Sequence, residues 1–181
     1  YVTMEFGFEA NIIRSLGAIV DKGFVHRGEK PVHWCVDCAS ALAEAEVEYK
    51  DKVSHSIDFA FPIETLLINS IFKSKVESDC YMASWTTTPW TLPGNLALTV
   101  NKDFEYCLVE LEINSVKANY VVAKDLIEQT IERLGLSNYT IKGTCMGEDL
   151  KGLVAKHPYL KRDSLIITGD HVTTEAGTGI V

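Results

Sequence analysis

Long apolar runs and basic clusters are both missing from this 181-residue sequence. No apolar stretch approaches the roughly 20 residues of a membrane-spanning helix. The first residues contain no basic region followed by an apolar one, so we expect no signal peptide. The 17 Lys and Arg are outnumbered by 25 Asp and Glu, which gives a net charge of −8. A large nucleic-acid footprint needs clustered basic residues, so only a short single-stranded end is expected to enter a pocket here.

The cysteine content argues against a disulfide framework. The sequence has five cysteines, an odd number, and two of them form a C-x-x-C. This usage is typical of a reducing compartment, so we expect a cytoplasmic protein. A Gly-rich phosphate loop is also missing, and ATP-dependent chemistry is therefore not expected within these residues.

A threonine-rich stretch at 84–95 reads SWTTTPWTLPGN. Pro89 and Pro93 fix their own φ and remove two backbone donors, so we expect an irregular loop rather than a helix or a ladder. Consecutive threonines give this loop three hydroxyls beside unpaired backbone N–H groups. The stretch therefore suits a bound polar ligand or a positioned water. The alternative is a solvated turn that only joins two strands.

Periodicity along the chain indicates an α/β fold class. Apolar residues at helical spacing predict an amphipathic helix over 5–22, with a stop at Gly23. Alternation predicts a strand over 44–49, which would form a two-stranded connection with 57–61. Further elements are predicted as strands at 81–85, 95–100, 106–111, 119–122, 139–145 and 165–168, with a helix at 123–134 ending at Gly135. The predicted architecture is a strand-rich, barrel-like domain with peripheral helices, preceded by an N-terminal helix and a C-x-x-C appendage.

Cys35 and Cys38 have the spacing at which two thiolates hold one metal ion from a tight turn. Structural zinc takes four ligands, so this pair forms half of such a site. Cys80, Cys107 and Cys145 stand alone in apolar or turn surroundings and are expected in the core. A redox-active pair is the weaker alternative, because no thioredoxin-like βαβ pattern surrounds it.

Three segments, taken in order, carry a resemblance to one family. They are KPVHWCVDCASALAEAEVEY at 30–49, WTTTPWTLPGN at 85–95, and GDHV at 169–172 followed by GTGIV at 177–181. The second segment resembles the threonine-rich peptide in the editing domain of isoleucyl-tRNA synthetases. The other two resemble the ends of the connective insertion in the bacterial or organellar form of that enzyme. Valyl and leucyl relatives carry an Arg-Pro-acidic sequence in place of Thr88-Pro89-Trp90, which favours the isoleucine enzyme.

The resemblance implies a division of the chain into two parts. Residues 1–50 would form a helix and a zinc half-site stem leading from the synthetase body. Residues 51–181 would form the editing domain, truncated at its C-terminal end. In the family a histidine and an aspartate with editing roles follow the segment that matches 177–181, and this chain stops before both. The second cysteine pair would also come from further downstream, so zinc is expected only in the full-length parent.

The function that the resemblance implies is proofreading in protein synthesis. The domain would hydrolyse valine from the tRNA that should carry isoleucine, and would also act on valyl-adenylate. It would be the aminoacyl-ester hydrolase of an isoleucine–tRNA ligase, with the ATP-dependent synthetic domain elsewhere. The expected partners are the aminoacylated 3′ end of tRNA and the remainder of the synthetase, with no membrane, and editing needs no cofactor.

The candidate site residues come from the threonine stretch and the glycine turn. By resemblance, the catalytic positions are Thr86, Thr87, Thr88 and Asn95, which would hold the ribose and ester and position the attacking water. Substrate contacts are expected from Trp85, Trp90, Thr91, Gly177, Thr178 and Gly179. The loop offers no neighbouring base, so a nucleophilic threonine is not favoured. His171, beside Asp170, is expected to be a surface or structural residue.

Two alternatives of other classes stay open. The first is a catalytically inactive module that only binds the aminoacylated tRNA end, which a hydrolysis assay would distinguish from an editing enzyme. The second is a zinc-ribbon-type structural domain in which the threonine stretch is a connector. Tightly bound stoichiometric zinc, together with ligand binding unaffected by Thr87→Ala, would support the second.

Overall fold

A computed structural model describes residues 2–181 and leaves Tyr1 out. The chain contains two compact units, one that ends at Lys52 and one that comprises Val53–Val181. No helix within residues 2–181 is both long enough and apolar enough to cross a membrane. The buried hydrophobic core belongs to the second unit, which therefore positions the candidate site.

The first unit contains one long helix and a small hairpin. Helix α1 (Phe6–Asp21) confirms the predicted amphipathic helix, and Gly23 follows it with a φ of 75°. Strands β1 (Trp34–Cys35) and β2 (Ser40–Ala41) pair antiparallel, and the C-x-x-C sequence begins on β1 and continues into their connection. No residue of α1 is buried, so the apolar face of this helix is exposed.

The strand predicted over 44–49 is wrong. A 3₁₀ helix occupies Glu44–Glu46, and the Glu46 carboxylate accepts the Ala43 N–H at 2.8 Å. Ala and Glu favour helical backbone, and this local preference outweighs the alternation that suggested a strand. The predicted pairing with 57–61 is also wrong, because that segment lies in β3 (Ile57–Ile63), which pairs with other strands.

Eight strands of the second unit form one sheet among the described residues. After β3, their bounds in chain order are β4 (Cys80–Thr86), β5 (Ala97–Val100), β6 (Glu105–Ile113), β7 (Val116–Ala123), β8 (Thr140–Met146), β9 (Val154–Lys156) and β10 (Asp163–Thr168). The spatial order is β5-β10-β9-β3-β4-β7-β6-β8. The β10–β5 and β4–β7 pairs are parallel and the others are antiparallel. The predicted strand-rich α/β class is thus confirmed.

The helices of the second unit lie between the strands in sequence. They are α2 (Thr65–Phe72), α3 (Ile127–Arg133) and α4 (Gly147–Leu150), with 3₁₀ helices at Pro89–Gly94 and Lys124–Leu126. The helix predicted over 123–134 is confirmed, except that its first turn is the 3₁₀ segment. Helix α2 and strand β9 were not predicted, because each is short: α2 has eight residues and β9 has only three.

Buried side chains paired across neighbouring strands build the core. Phe61 on β3 lies opposite Met82 on β4, and both are fully buried. Leu108 on β6 lies opposite Val121 on β7 in the same way. The β6–β7 hairpin turns through Asn114–Ser115, whose φ values of 52° and 65° are both left-handed. Two-residue turns of that kind match the twist of paired strands, which keeps the two core strands in register.

A short helix runs through the threonine stretch, contrary to the prediction from its prolines. Pro89 stands at the start of the 3₁₀ helix Pro89–Gly94, where a missing donor costs nothing. The bonds from the Thr91 N–H to the Thr88 carbonyl and from the Asn95 N–H to the Leu92 carbonyl, each 3.0 Å, avoid the proline nitrogens. Two prolines therefore exclude a regular α-helix here but permit 3₁₀ turns.

Candidate functional site

The threonine loop (residues 86–95) begins where β4 ends. The Thr86 Oγ1 accepts the Thr88 N–H at 3.0 Å and lies 3.2 Å from the Thr88 Oγ1. The Thr91 hydroxyl donates to the Thr88 carbonyl at 2.8 Å. These contacts brace the loop from inside. The exposed Thr87 hydroxyl has no hydrogen-bond partner among the described residues, so it remains available to a ligand.

A cavity of about 390 Å³, the threonine cavity, opens beside this loop. Apolar side chains form one part of its lining: Phe59, Phe61, Leu92 and Leu98. The rest of the lining is Ser84, Trp85, Thr86, Thr88, Thr91, Gly94, Asn95 and Val181. None of these described lining residues has an ionisable side chain. An apolar pocket with a few hydroxyls and one amide suits a small aliphatic group that is joined to a polar one.

A second cavity of about 240 Å³, the glycine-turn cavity, shares Trp85, Thr86 and Val181 with the first. Its remaining lining residues are Thr87, His171, Thr173, Ala176, Gly177, Thr178, Gly179 and Ile180. The structure therefore brings together two segments that lie about 90 residues apart in the sequence. Trp85 stands between the two cavities as a shared wall.

Hydrogen bonds hold the 177–181 segment against the sheet. The buried Thr178 hydroxyl donates to the Ala83 carbonyl at 2.7 Å, and the Ser84 hydroxyl donates to the Ile180 carbonyl at 2.8 Å. Val181 exchanges both backbone bonds with Thr99, at 2.6 and 3.0 Å. The Thr178 side chain is thus used structurally, and the turn offers a ligand mainly its backbone.

Tyr106 holds the same turn through its side-chain hydroxyl. Its fully buried hydroxyl accepts the Asn101 N–H at 3.0 Å and donates to the Gly179 carbonyl at 2.7 Å. Burial raises the pKa of Tyr106 to about 12, although the hydrogen bond from the Asn101 backbone acts in the opposite direction.

The raised pKa of Tyr106 predicts a loss of stability at alkaline pH. The fold favours the protonated phenol, so its contribution is complete below about pH 10, where an unfolded tyrosine titrates. That contribution is lost as the pH rises from about 10 toward 12. We expect the free energy of unfolding, measured by urea titration, to fall less over this range in Tyr106→Phe. The exposed Tyr49→Phe is the control, and an identical fall in Tyr106→Phe and the parent would refute the assignment.

An ion pair supports the Trp85 wall. The Arg133 guanidinium donates to both Asp58 oxygens, with Nε–Oδ2 at 3.0 Å and Nη2–Oδ1 at 2.7 Å. Its Cζ lies 5.7 Å from the centroid of the Trp85 ring, and its Nη2 lies 3.4 Å from the Gly177 carbonyl. One side chain thus links β3, the indole and the glycine turn. The Trp85 Nε1 is buried without a hydrogen-bond partner in residues 2–181.

The predicted site residues divide between the two cavities. Five line the threonine cavity: Trp85, Thr86, Thr88, Thr91 and Asn95. Four more line the glycine-turn cavity: Thr87, Gly177, Thr178 and Gly179. Trp90 lines neither cavity and is 73% exposed. The sequence did not reveal that Phe59 lines the threonine cavity, because strand register determines its position. It also did not reveal that His171 lines the glycine-turn cavity, because a distant loop brings it there.

Cys35 and Cys38 lie together in the β1–β2 hairpin. The Cys38 N–H donates to the Cys35 Sγ at 3.3 Å, and this contact is the main cause that lowers the pKa of Cys35. The hydrogen bond with Cys35 raises the pKa of Cys38. A backbone donor at a thiolate is what a metal-binding turn provides. Residues 2–181 contain no cluster of three or more His, Cys, Asp or Glu that could hold a metal ion.

Burial separates the five thiols into two accessible and three buried ones. Cys38 is exposed and Cys35 half-buried, whereas burial raises the pKa of Cys107, and that of Cys145 to about 12. We expect iodoacetamide, with a chelator present, to modify only the pair in the native chain. Denaturation should expose the remaining three thiols to the reagent. Mass spectrometry of the modified peptides would check this, and equal labelling of Cys107 and Cys38 in the folded chain would contradict it.

The sequence also matches a known family. The profile of the family described as tRNA synthetases class I (I, L, M and V) matches residues 1–149. This match covers most of the chain, including the cysteine hairpin and the threonine loop.

Solved structures share the fold at low sequence identity. The crystal structure of GlLeuRS-CP1 has a TM-score of 0.58 at 15% identity, covering 70% of this chain and 53% of that one. The P. knowlesi cytosolic leucyl-tRNA synthetase editing domain has a TM-score of 0.57 at 14% identity, covering 71% and 58%. The corresponding P. falciparum domain has a TM-score of 0.50 at 14% identity, covering 71% and 61%. This chain thus spans less than two thirds of each structure, and the likeness concerns the fold.

Proposed function

Because the chain belongs to the class I tRNA synthetases (I, L, M and V), we propose that its second unit is an editing domain that hydrolyses valine from the tRNA for isoleucine. The observation that carries this proposal is the meeting of the threonine loop and the 177–181 segment around Trp85. Together they make an apolar cavity beside a cavity lined by hydroxyls and backbone. A fold shared with leucyl-tRNA synthetase editing domains supports the proofreading role.

The choice of isoleucine over leucine or valine rests on the threonine loop. By resemblance, leucyl and valyl relatives carry an Arg-Pro-acidic sequence in place of Thr88-Pro89-Trp90. Trp90 is exposed, and Thr88 lines the threonine cavity, so this difference lies at the mouth of the proposed site. The established argument for isoleucyl enzymes is that one methylene is worth only about 1–3 kcal/mol, so a synthetic pocket cannot reject valine strongly. A smaller second pocket sorts the two by excluding isoleucine.

The proposed hydrolysis relies on positioning rather than on a strong base. Water attacks the ester carbonyl carbon, the bond to the ribose oxygen breaks, and that oxygen takes the proton. No side chain that lines the threonine cavity among the described residues is ionisable, so the proton reaches the leaving ribose oxygen through the substrate's own hydroxyl or through solvent. Hydroxyls at Thr86, Thr87 and Thr88 would orient the ester and the water, and the Asn95 amide would donate to the developing charge.

The remaining parts of the proposal concern the parent enzyme. Cys35 and Cys38 would supply two thiolates to a structural zinc whose other ligands lie outside this chain, and editing itself needs no cofactor. ATP would serve only the synthetic domain. The partners would be the aminoacylated 3′ end of tRNA and the rest of the synthetase. The net charge of −8 leaves most of the tRNA to that remainder. A cytoplasmic location is proposed from the cysteine usage, an odd count with one C-x-x-C pair.

Deacylation of valyl-tRNA for isoleucine tests the proposal. The chain ending at Val181 is compared with a version extended through the histidine and aspartate that the family places further on. Hydrolysis by the extended form alone means that the threonine loop positions the substrate and the added segment supplies an essential group. Hydrolysis by both places the chemistry within the second unit. Failure of both refutes the editing proposal and favours a module that only binds the aminoacylated end.

A further inference from the structure

The downstream half of the threonine loop has little support of its own. The 3₁₀ helix Pro89–Gly94 has no buried residue, and its two prolines have no N–H to donate. Its carbonyls at Leu92 and Pro93 nevertheless receive hydrogen bonds from a distant part of the chain. That part is the β9–β10 hairpin, which lies between 65 and 69 residues further along.

His157 makes the first of these contacts, directly after β9. Its Nδ1 accepts the N–H groups of Tyr159 at 3.3 Å and Leu160 at 3.1 Å. Because Nδ1 accepts, the proton lies on Nε2, which donates to the Leu92 carbonyl at 2.9 Å. The ring is 4% exposed and packs edge-on against Phe61, with 6.0 Å between centroids. One imidazole therefore braces its own hairpin with one nitrogen and the threonine loop with the other.

Arg162 and Ser164 make the other two contacts. The Arg162 Nη2 lies 2.7 Å from the Pro93 carbonyl. The fully buried Ser164 hydroxyl donates to the Asn95 Oδ1 at 2.6 Å, and the Asn95 Nδ2 donates to the Ala97 carbonyl at 2.8 Å. These two bonds fix the orientation of the amide of Asn95, a residue that lines the threonine cavity.

We propose that the β9–β10 hairpin is a clamp on the threonine loop, with His157, Arg162 and Ser164 as positioning residues for the editing site. The three side chains hold Leu92, Pro93 and Asn95 respectively, and Leu92 and Asn95 line the threonine cavity. None of the three lines that cavity, so they act through the loop and not on the substrate. The effect on hydrolysis rests on the proposed function, whereas the clamp itself does not.

Two substitutions at one position separate the clamp from a merely structural role. Gln places its amide nitrogen near the Nε2 position, so His157→Gln keeps the donor to Leu92 and loses the acceptor for Tyr159 and Leu160. His157→Asn does the reverse, because its shorter amide reaches only the Nδ1 position. If His157 is a clamp, the threonine loop becomes less protected in His157→Asn. If His157 only braces its own hairpin, the loss of protection occurs in His157→Gln instead. Ser164→Ala is the second clamp variant, and the exposed His55→Asn is the control.

Hydrogen exchange of the full chain, read by mass spectrometry, measures the clamp without any substrate. In His157→Asn and Ser164→Ala we expect peptides containing the Thr91 and Asn95 amides to exchange about tenfold faster, with β6 and β7 unchanged. His157→Gln and His55→Asn should match the parent. Unchanged loop exchange in both clamp variants, or acceleration in His157→Gln instead, overturns the proposal.

Deacylation by the extended chain then reports the catalytic consequence. The clamp predicts that kcat for valyl-tRNA falls by about tenfold to a hundredfold in His157→Asn while KM stays within twofold, because a displaced loop misplaces the ester and water. Accelerated exchange with kcat unchanged overturns the positioning role. Accelerated exchange in a protein whose parent form also fails to deacylate supports the clamp and instead refutes the proposed function.

Discussion

Gly179→Ala is expected to lower the free energy of unfolding by about 3 kcal/mol. Gly179 has a φ of 76°, a conformation that costs a residue with a Cβ about 1–2 kcal/mol. A Cβ built there lies 2.4 Å from the Ala123 Cβ, which belongs to β7 and has no flexible end that can move away. Overpacking of this kind adds about 1–3 kcal/mol. The displaced turn would also pull its carbonyl away from the Tyr106 hydroxyl.

Gly135→Ala is the matched control for this substitution. Gly135 has a similar φ of 67°, but a Cβ there meets nothing within 4 Å. It should therefore show the backbone cost alone, about 1–2 kcal/mol. Urea denaturation of both variants, followed by circular dichroism, isolates the contact with Ala123 as the difference. Equal losses in the two variants would mean that the glycine turn does not pack against β7 as described.

Thr87→Val is expected to reduce kcat for valyl-tRNA deacylation by about a hundredfold while leaving stability within about 0.5 kcal/mol of the parent. Valine keeps the shape of the side chain and removes only the hydroxyl. That hydroxyl lines the glycine-turn cavity and has no partner among the described residues, so its loss breaks no contact of the fold. The expected effect is therefore on the bound ester or water alone.

Thr86→Val is the comparison for this prediction. The Thr86 Oγ1 accepts the Thr88 N–H, so its removal loosens the loop as well as altering the cavity. We expect both a lower kcat and a measurable loss of stability, which separates a bracing hydroxyl from a free one. The interpretation fails if the extended chain with Thr87→Val deacylates valyl-tRNA at the same rate as the extended parent chain.

Much of the sheet could be predicted because its strands carry their signal locally. The continuous apolar run from Tyr106 to Val109 in β6, and the glycine stop after α3, mark elements without reference to the rest of the chain. The segment 44–49 shows the limit of this approach, since Ala and Glu alternate there and still form a 3₁₀ helix. Local composition and local periodicity disagreed, and periodicity was the wrong guide.

The polar half of the candidate site could also be predicted, whereas the apolar half could not. The threonines and prolines indicate an unusual loop by residue type alone. Phe59 lines the threonine cavity because β3 places it opposite Ser84, and a shift of one residue would turn its side chain to the other face. The three clamp residues depend on a hairpin about 65 residues away that closes on the loop only in the folded chain.

The most direct test is to compare deacylation of three substrates by the extended chain: valyl-tRNA and isoleucyl-tRNA for isoleucine, and a mischarged tRNA for leucine. An isoleucine-type editing site predicts that valyl-tRNA is hydrolysed at least about tenfold faster than isoleucyl-tRNA, the smallest discrimination that one methylene provides. It also predicts little hydrolysis of the leucine-specific tRNA. Equal rates on valyl- and isoleucyl-tRNA, or preferential hydrolysis of the leucine-specific substrate, would contradict the assignment.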